Sequence, residues 1–185
     1  SLRSSMGLEG KKVILFVGRF TKVKRIDFLL ETFSLLQAQH PEFHLLLVGT
    51  GGEKYVSGTE PNVTYFGSVS DPDKMAQIYI ASDLFIFPGL VGLAPLTALC
   101  YSLPTLTIAA DNHKPEFEYL TAENSLVLDA SVTPQDYADS IANLFQKDSN
   151  KIQHLKDNAW NSIKHLTIDN MARNFINGVD QILDI

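Results

Sequence analysis

The stretch that decides the fold reads LFIFPGLVGLAPLTALCYSLPT over residues 84–105. Four apolar residues are followed by a tight turn at Pro88-Gly89, a small-residue step at Gly92, and a segment of helical character. Pro95 lies in the first turn of that helix and is predicted at its first position, where an N–H would have no intrahelical partner. Anions bind at helix N-termini, and ligands of parallel α/β sheets bind at the carboxyl edge. The stretch therefore predicts a phosphate site near Gly92 and Leu93.

The same unit of strand, loop and helix recurs along the whole chain. Amphipathic segments separate the apolar runs, and two of them close the chain around residues 152–166 and 171–183. Alternation of this kind predicts an α/β fold, a doubly wound, Rossmann-like parallel sheet of about six strands with helices on both faces. The predicted strands are residues 13–17, 43–48, 63–66, 84–87, 105–108 and 126–128.

Composition limits the class of protein. A chain of 185 residues with 45% hydrophobic content can form one domain with a substantial core. Its formal net charge of −6 argues against a nucleic-acid surface or an anionic-membrane footprint. No run approaches the roughly 20 apolar residues of a membrane span. The single cysteine, Cys100, excludes an internal disulfide and is expected to be a buried hydrophobic residue in a reducing compartment. We expect a cytoplasmic protein, with peripheral attachment to the inner face of a membrane left open.

Two loops after predicted strands carry the chemistry. Residues 19–25 contain four cations, although the chain is acidic and cations are disfavoured at the start of the helix that follows. This misfit favours an anionic partner, while a merely solvated set of charges stays open. After the second strand, Gly49-Thr50-Gly51-Gly52 allows close backbone approach to a ligand, or forms a plain turn.

Seven motifs, in a fixed order, carry a resemblance to a known family. Together they resemble the nucleotide-sugar-binding C-terminal half of a retaining glycosyltransferase from the large bacterial "glycosyl transferases group 1" family (family 4), which has the two-domain B-type fold. The resemblance covers roughly residues 12 to 147. The motifs are VGRF (17–20), Lys24, DFLL (27–30), LVGTG (47–51), VTYFGSV (63–69), ASDLFIFP (81–88) and LPT (103–105).

The resemblance implies specific roles for these residues. Arg19 and Lys24 match the catalytic cations that clamp the donor diphosphate and stabilise charge on the leaving nucleotide. The other matching residues are expected to bind the donor: the strand-end glycines Gly18 and Gly49, the nucleobase loop Gly67, Ser68 and Val69, and the phosphate-binding step Gly92 and Leu93.

The chain departs from the family pattern at several positions. The family usually carries a glutamate shortly after its proline-serine turn, and this glutamate is deleted here. A second glutamate, which holds the ribose hydroxyls, is replaced by Thr97, and each lost charged hydrogen bond weakens donor binding by about 1–3 kcal/mol. Two family glycines are replaced by Arg25 and Ser102.

A second loop, DNHKPEFEYL over residues 111–120, resembles that of a divergent subgroup of the family. His113 and Glu116 follow the fifth predicted strand, where they are expected to face the donor sugar. A turn leading into a helix explains the same residues equally well. Asp71 and Asp73 are interpreted as a helix cap, so no metal site is expected.

These expectations combine into one functional hypothesis. Residues 1–10 are expected to be a linker or expression remnant, residues 11–168 a Rossmann-like donor-binding domain, and residues 169–185 a helix that packs on a missing N-terminal domain. The domain would bind a UDP- or GDP-sugar without a further cofactor, in polysaccharide biosynthesis. The sugar would go to a saccharide or lipid-linked acceptor, and the isolated domain would be inactive. The alternative is a non-catalytic, degenerate scaffold or regulatory domain.

Overall fold

A computed structural model describes residues 2–183 as one sheet with surrounding helices. The strands are β1 (Lys12–Val17), β2 (Phe43–Val48), β3 (Val63–Tyr65), β4 (Leu84–Phe87), β5 (Thr105–Ile108) and β6 (Ser125–Leu128). The helices are α1 (Leu2–Ser5), α2 (Ile26–Gln39), α3 (Pro72–Ile80), α4 (Leu93–Cys100), α5 (Pro134–Gln146), α6 (Ser149–Ile163) and α7 (Ile168–Leu183).

All pairings in the sheet are parallel, in the order β3-β2-β1-β4-β5-β6. The order reverses between β1 and β4, and ligands of open α/β sheets commonly bind in a crevice at the carboxyl edge beside such a reversal. Right-handed connections then place α2 and α4 on opposite faces, because β1 to β2 and β4 to β5 run in opposite directions. The predicted doubly wound α/β fold is confirmed.

The core lies between the sheet and its two helical layers. The interior residues of β1, β2, β4 and β5 are almost fully buried, and the rings of Phe16 and Phe87 stack 5.2 Å apart beneath the carboxyl edge. α2 packs against α5, and α4 packs against α6. Because central parallel strands are covered on both faces, their sequences are mostly apolar, although β5 also buries Thr105 and Thr107. This is why the strand positions were readable from the sequence.

The first ten residues differ from the expected linker. Residues 2–5 form α1, and Leu8 is only 1% exposed. Arg3 fixes this segment to the domain: its Nε donates to the carbonyl of Ala81 at 2.8 Å, and its guanidinium pairs with Asp83 at 2.6 Å. These partners lie about eighty positions further on, so no local pattern could predict them. Ser1 lies outside the described residues.

Two smaller expectations about α4 are also wrong. Cys100 is exposed, because the buried side of this short helix is formed by Ala98 and Leu99 and the helix ends at the cysteine. Pro95 is the third helical residue, since Gly92 is the N-cap and the helix begins one residue later. The proline is still tolerated, because the first four N–H groups of a helix all lack intrahelical partners.

α7 differs from the other long helices because it has no buried residue. Its apolar side chains face outward, and within residues 2–183 no helix has the length and apolar character needed to cross a bilayer. The predicted boundary between the domain and this helix stays a prediction. The exposed apolar residues are Ile168, Met171, Phe175, Ile176, Val179, Ile182 and Leu183.

Asp83 joins three parts of the fold, and its neutralisation is expected to destabilise the domain. Its carboxylate accepts the Val13 N–H at 2.9 Å and pairs with Arg3 and with Lys156, at 2.6 and 3.1 Å. Asp83→Asn should lower the free energy of unfolding by about 2 kcal/mol, because hydrogen bonds to charged groups each contribute about 1.5–3 kcal/mol. Urea unfolding measures this loss. Asp180→Asn, an exposed site on α7, is the control, and equal stability of the two variants would contradict the assignment.

Candidate functional site

Three glycines form one edge of the candidate site. Gly18, Gly49 and Gly67 follow β1, β2 and β3, and their backbones are joined side by side: the Gly49 N–H donates to the Gly67 carbonyl at 2.8 Å. Gly49 has a φ of 143°, and a Cβ there would lie 1.8 Å from the Gly18 carbonyl oxygen. The sequence suggested a close backbone approach to a ligand here or a plain turn, and at Gly49 the structure shows a close approach between two loops of the protein.

Arg19 lies between two residues whose backbones are hydrogen-bonded to β2 and the loop after it: Gly18 donates to the Val48 carbonyl, and Phe20 to the Thr50 carbonyl. Phe20 is 6% exposed, its ring packs edge-on against Phe16 and Tyr65, and its N–H donates to the Thr50 carbonyl at 3.0 Å. Because the residues before and after it are fixed, Arg19 projects from the surface and is exposed. The loop thus presents a cation at the crevice without burying it.

Lys24 occupies a more enclosed position on the same loop. Its Nζ donates a hydrogen bond to the Leu90 carbonyl and lies 4.7 Å from the centre of the Phe87 ring. Partial burial and the nearby charge of Arg19 lower the pKa of Lys24, while Glu116 acts in the opposite direction. The structure therefore brings Arg19, Lys24 and Glu116 into one electrostatic neighbourhood.

The turn after β4 packs directly on the Lys24 backbone. The Leu90 N–H donates to the Val23 carbonyl at 2.9 Å. A Cβ on Gly89 would lie 2.4 Å from the Cα of Lys24, so only glycine fits at this contact. The Pro88-Gly89 turn in the sequence is thus explained by its contact with the basic loop.

The start of α4 lies at the end of the same turn. Gly92 is the N-cap, no side chain caps the helix, and the space where a Gly92 side chain would stand is open. Leu93 is 66% exposed, and Thr97, one turn further on, is exposed with its hydroxyl 3.4 Å from the Leu93 carbonyl. This arrangement leaves the first turn of α4 accessible to a ligand.

The predicted nucleobase loop follows β3. Gly67 has a φ of 66° with no atom within 4 Å of a built Cβ, and Ser68 is exposed while Val69 is half-buried. Since β3 is two strands away from β1, this loop stands at the far side of the glycine edge from Arg19.

His113 is engaged differently from the expected sugar contact. Its Nδ1 accepts the Val91 N–H at 3.0 Å and its Nε2 donates to the Ile108 carbonyl at 2.8 Å, a tautomer assigned from these partners. The ring also stacks on Phe117 at 4.2 Å. Both nitrogens already have backbone partners, so His113 connects the turn after β4 to the loop after β5 instead of presenting a free nitrogen.

Replacing His113 is expected to loosen the start of α4. His113→Ala removes two hydrogen bonds and should lower the free energy of unfolding by about 2 kcal/mol, since each net bond contributes about 0.5–1.5 kcal/mol. His113→Asn should recover part of this loss, because its amide oxygen can accept the Val91 N–H. Thermal unfolding measures both, with exposed His165→Ala as the control. If His113→Ala and His165→Ala are equally stable, the two hydrogen bonds of His113 do not stabilise the domain.

Glu116 has an unusual environment within the short turn after Pro115. Its Oε2 is buried, and no hydrogen-bond partner lies within reach of it. An unpaired carboxylate oxygen close to Lys24 is costly unless a ligand or a loop movement satisfies it. Proximity of Glu116 to the basic loop was not visible in the sequence, because the two lie about ninety positions apart.

Asp71 is the N-cap of α3, as the sequence suggested. Its Oδ1 accepts the Asp73 N–H at 2.9 Å. Within residues 2–183, no group of three His, Cys, Asp or Glu side chains is placed to hold a metal ion.

Fold and loop geometry together define the class of this protein as a Rossmann-like α/β domain with its candidate site at the carboxyl edge of the sheet. The model of the family "Glycosyl transferases group 1" matches residues 11–147, and the chain belongs to that family. Curated relatives include Spore coat protein SA of Bacillus subtilis, 26% identical over 163 residues, which cover 77% of this chain and 42% of that protein. Mannosylfructose-phosphate synthase of Agrobacterium fabrum is 32% identical over 124 residues, 57% of this chain and 27% of that protein. The chain thus spans less than half of either relative.

Solved structures with the same fold are larger proteins as well. Anabaena Alr3699/HepE, in complex with UDP and glucose, aligns with a TM-score of 0.76 at 18% identity, over 97% of this chain and 51% of that one. The pneumococcal O-GlcNAc transferase GtfA, in complex with UDP and GlcNAc, aligns with a TM-score of 0.74 at 18% identity, over 95% and 37%. At this identity the likeness establishes the fold alone.

Proposed function

We propose that this chain is the donor-binding domain of a glycosyltransferase and binds a nucleoside-diphosphate sugar at the carboxyl edge of β1 and β4. The observation that carries the proposal is the position of Lys24, whose Nζ is bonded to the turn that leads into the uncapped start of α4. Arg19, Lys24 and the N–H groups of that helix supply positive charge from two sides. A diphosphate has the charge and the length to be held between them.

The same groups would contribute to the transfer step. Negative charge develops on the leaving diphosphate when its bond to the sugar breaks, and cations fixed beforehand stabilise that charge without reorganising. Lys24 is restrained by Leu90 and by the Phe87 ring, so it would be pre-positioned. Arg19 is free to move onto the phosphate as it binds. The donor is a substrate in this scheme, and no further cofactor is required.

A partner domain would complete the site. The chain covers 51% of HepE and 37% of GtfA, and α7 presents a row of apolar side chains to solvent. We propose that an N-terminal domain of the same polypeptide covers α7 and supplies the acceptor, a saccharide or lipid-linked sugar. The isolated chain would then bind donor but transfer little or no sugar. A cytoplasmic location and a role in polysaccharide synthesis belong to the same proposal.

The relatives support a nucleotide-sugar donor. HepE and GtfA are solved in complex with UDP together with glucose or GlcNAc, and part of each has the fold of this chain. Calorimetric titration of the chain with UDP, GDP and ADP tests the proposal. We expect one of the three to bind measurably and more tightly than the others. Failure of all three to bind would reject a donor site in this chain.

A second candidate, a non-catalytic scaffold, is favoured by one residue. Thr97 stands where the family pattern has a glutamate, and a hydroxyl cannot bind two ribose hydroxyls as a carboxylate does. If the site is a weakened donor site, Thr97→Glu should tighten UDP binding by about tenfold, the equivalent of 1.4 kcal/mol. Calorimetry measures the change, with Thr97→Gln as a neutral control. If Thr97→Glu binds UDP no more tightly than Thr97→Gln does, the scaffold function is favoured.

A further inference from the structure

We propose that a second anion site lies beside the basic loop, in a cavity of about 270 Å³ lined by Arg25. It would bind a carboxylate or phosphate group of a substrate other than the donor diphosphate. The inference does not depend on nucleotide binding, because neither Arg19 nor Lys24 lines this cavity.

The cavity lies at the carboxyl edge of β4 and β5, next to the turn that holds Lys24. The Pro88–Leu90 turn forms one wall, and residues 108–110 at the end of β5 form another. The Leu90 carbonyl of this turn accepts the Lys24 ammonium, and Lys24 itself does not line the cavity. Neighbouring residues of the basic loop therefore contribute cations to two separate spaces.

Arg25 is the charged group of this cavity and has no counter-ion. No carboxylate within residues 2–183 pairs with it, although Arg3 and two lysines in the same range do form ion pairs with carboxylates. Its guanidinium lies 4.1 Å from the centre of the Phe28 ring, which orients the group without neutralising it. The side chain is half-buried. An oriented, partly desolvated and unpaired guanidinium is suited to bind an anion.

The Arg25 backbone adopts a conformation that favours glycine. Its φ is 54° and its ψ is 47°, in the left-handed region. A residue with a Cβ is strained there, so the position would be more stable with glycine. The arginine side chain is thus kept against a local conformational cost, which is consistent with a role in binding.

The remaining lining fits a small, partly polar ligand. Ala109, Ala110 and Pro88 give short apolar walls, and the amide of Asn112 adds a neutral donor and acceptor at the rim. No acidic side chain lines the cavity, so nothing there repels an anion. The volume lies just below the range of about 300–1,000 Å³ that is typical of small-molecule sites. An acidic sugar or a sugar phosphate has matching chemistry.

Amide NMR with free anions tests the site directly. Sodium glucuronate and inorganic phosphate are titrated into the ¹⁵N-labelled chain, with neutral glucose as the control probe. We expect the anions to shift the amides of Ala109, Ala110 and Asn112, and glucose to leave them unchanged. Arg25→Gly should fold well, because glycine adopts the observed φ, and should weaken anion binding by at least about tenfold. Arg25→Gln, which keeps the bulk of the side chain without its charge, should weaken it equally.

Arg19→Ala separates this site from the proposed diphosphate site. The shifts at Ala109 and Ala110 should persist in that variant, and they should persist whether or not UDP binds. The proposal is overturned if the anions do not shift these amides, if Arg25→Gly binds them as the wild type does, or if Arg19→Ala abolishes the effect.

Two nucleotide sugars then identify the source of the anion. If it belongs to the donor, UDP-glucuronate binds more tightly than UDP-glucose, and Arg25→Gly removes the difference. If it belongs to the acceptor, the two nucleotide sugars bind alike, and free glucuronate or phosphate still reaches the Ala109 region when UDP-glucose is saturating. Both results support an anion site at Arg25.

Discussion

UDP binding is expected to weaken by about 100-fold or more when Arg19 and Lys24 are both replaced by alanine. In the proposed site each would make a charge-assisted contact to the diphosphate. Such contacts are worth about 1.5–3 kcal/mol each, and 1.4 kcal/mol corresponds to tenfold in affinity. Lys24 also gives the effect a pH dependence. Because burial and Arg19 lower its pKa, binding by the wild type should weaken as pH rises, beginning below the range of an ordinary lysine. Calorimetry at several pH values measures both effects.

Lys22→Ala is the matched control for this prediction. Lys22 belongs to the same short turn as Lys24 and is exposed, so it contributes to the general positive potential without touching the proposed site. Its loss should change affinity by no more than a few-fold, and less at high salt. If the double variant binds UDP as tightly as Lys22→Ala does, Arg19 and Lys24 do not belong to the diphosphate site.

Gly49→Ala is expected to lower the free energy of unfolding by about 4 kcal/mol, the largest stability effect predicted for a single methyl group in this chain. The added Cβ would lie 1.8 Å from the Gly18 carbonyl oxygen, which is backbone and cannot move aside without separating β1 from β2. The left-handed φ of 143° adds strain. Urea unfolding followed by circular dichroism measures the loss, and many domains are stable by only about 5–15 kcal/mol.

Substitutions of two other glycines serve as controls that separate the close contact of the added Cβ from the strain of a positive φ. Gly67→Ala has a positive φ but open space around the new Cβ, so it should cost about 1 kcal/mol of strain alone. Gly92→Ala has open space and no positive φ, so it should lose only the preference for glycine over alanine at an N-cap, about 1 kcal/mol. If Gly49→Ala is as stable as Gly67→Ala, the close contact between the two loops does not exist in solution.

The sheet was readable from the sequence because its strands are local patterns. Phe43–Val48, Leu84–Phe87 and Thr105–Ile108 lie where they were predicted, since a strand covered on both faces is rich in apolar and β-branched residues. The start of α5 also has a local signal, the sequence Thr133-Pro134-Gln135-Asp136, in which Thr133 and Asp136 form a capping box. Signals of this kind depend on a few consecutive residues, so a single sequence contains them.

The candidate site was only partly readable, because its contacts join distant segments. Gly92 and Leu93 stand at the uncapped helix start, as the turn and proline indicated. The His113 bond to Val91 spans 22 positions and the Arg3 bond to Asp83 spans 80, and no periodicity encodes such pairs. The sequence left open whether the His113 loop contacts a ligand or forms a turn, and in the structure both ring nitrogens of His113 are bonded to backbone.

Mapping UDP on the ¹⁵N-labelled chain tests the central claim, that a diphosphate binds between the basic loop and the start of α4. We expect UDP to shift the amides of Arg19, Gly92 and Leu93 most strongly, with smaller shifts at Ser68. The larger cavity of about 700 Å³ around Tyr119, His165 and Met171 should be unaffected. Shifts confined to that cavity, or no shift at Arg19 and Gly92 under saturating UDP, would contradict the claim.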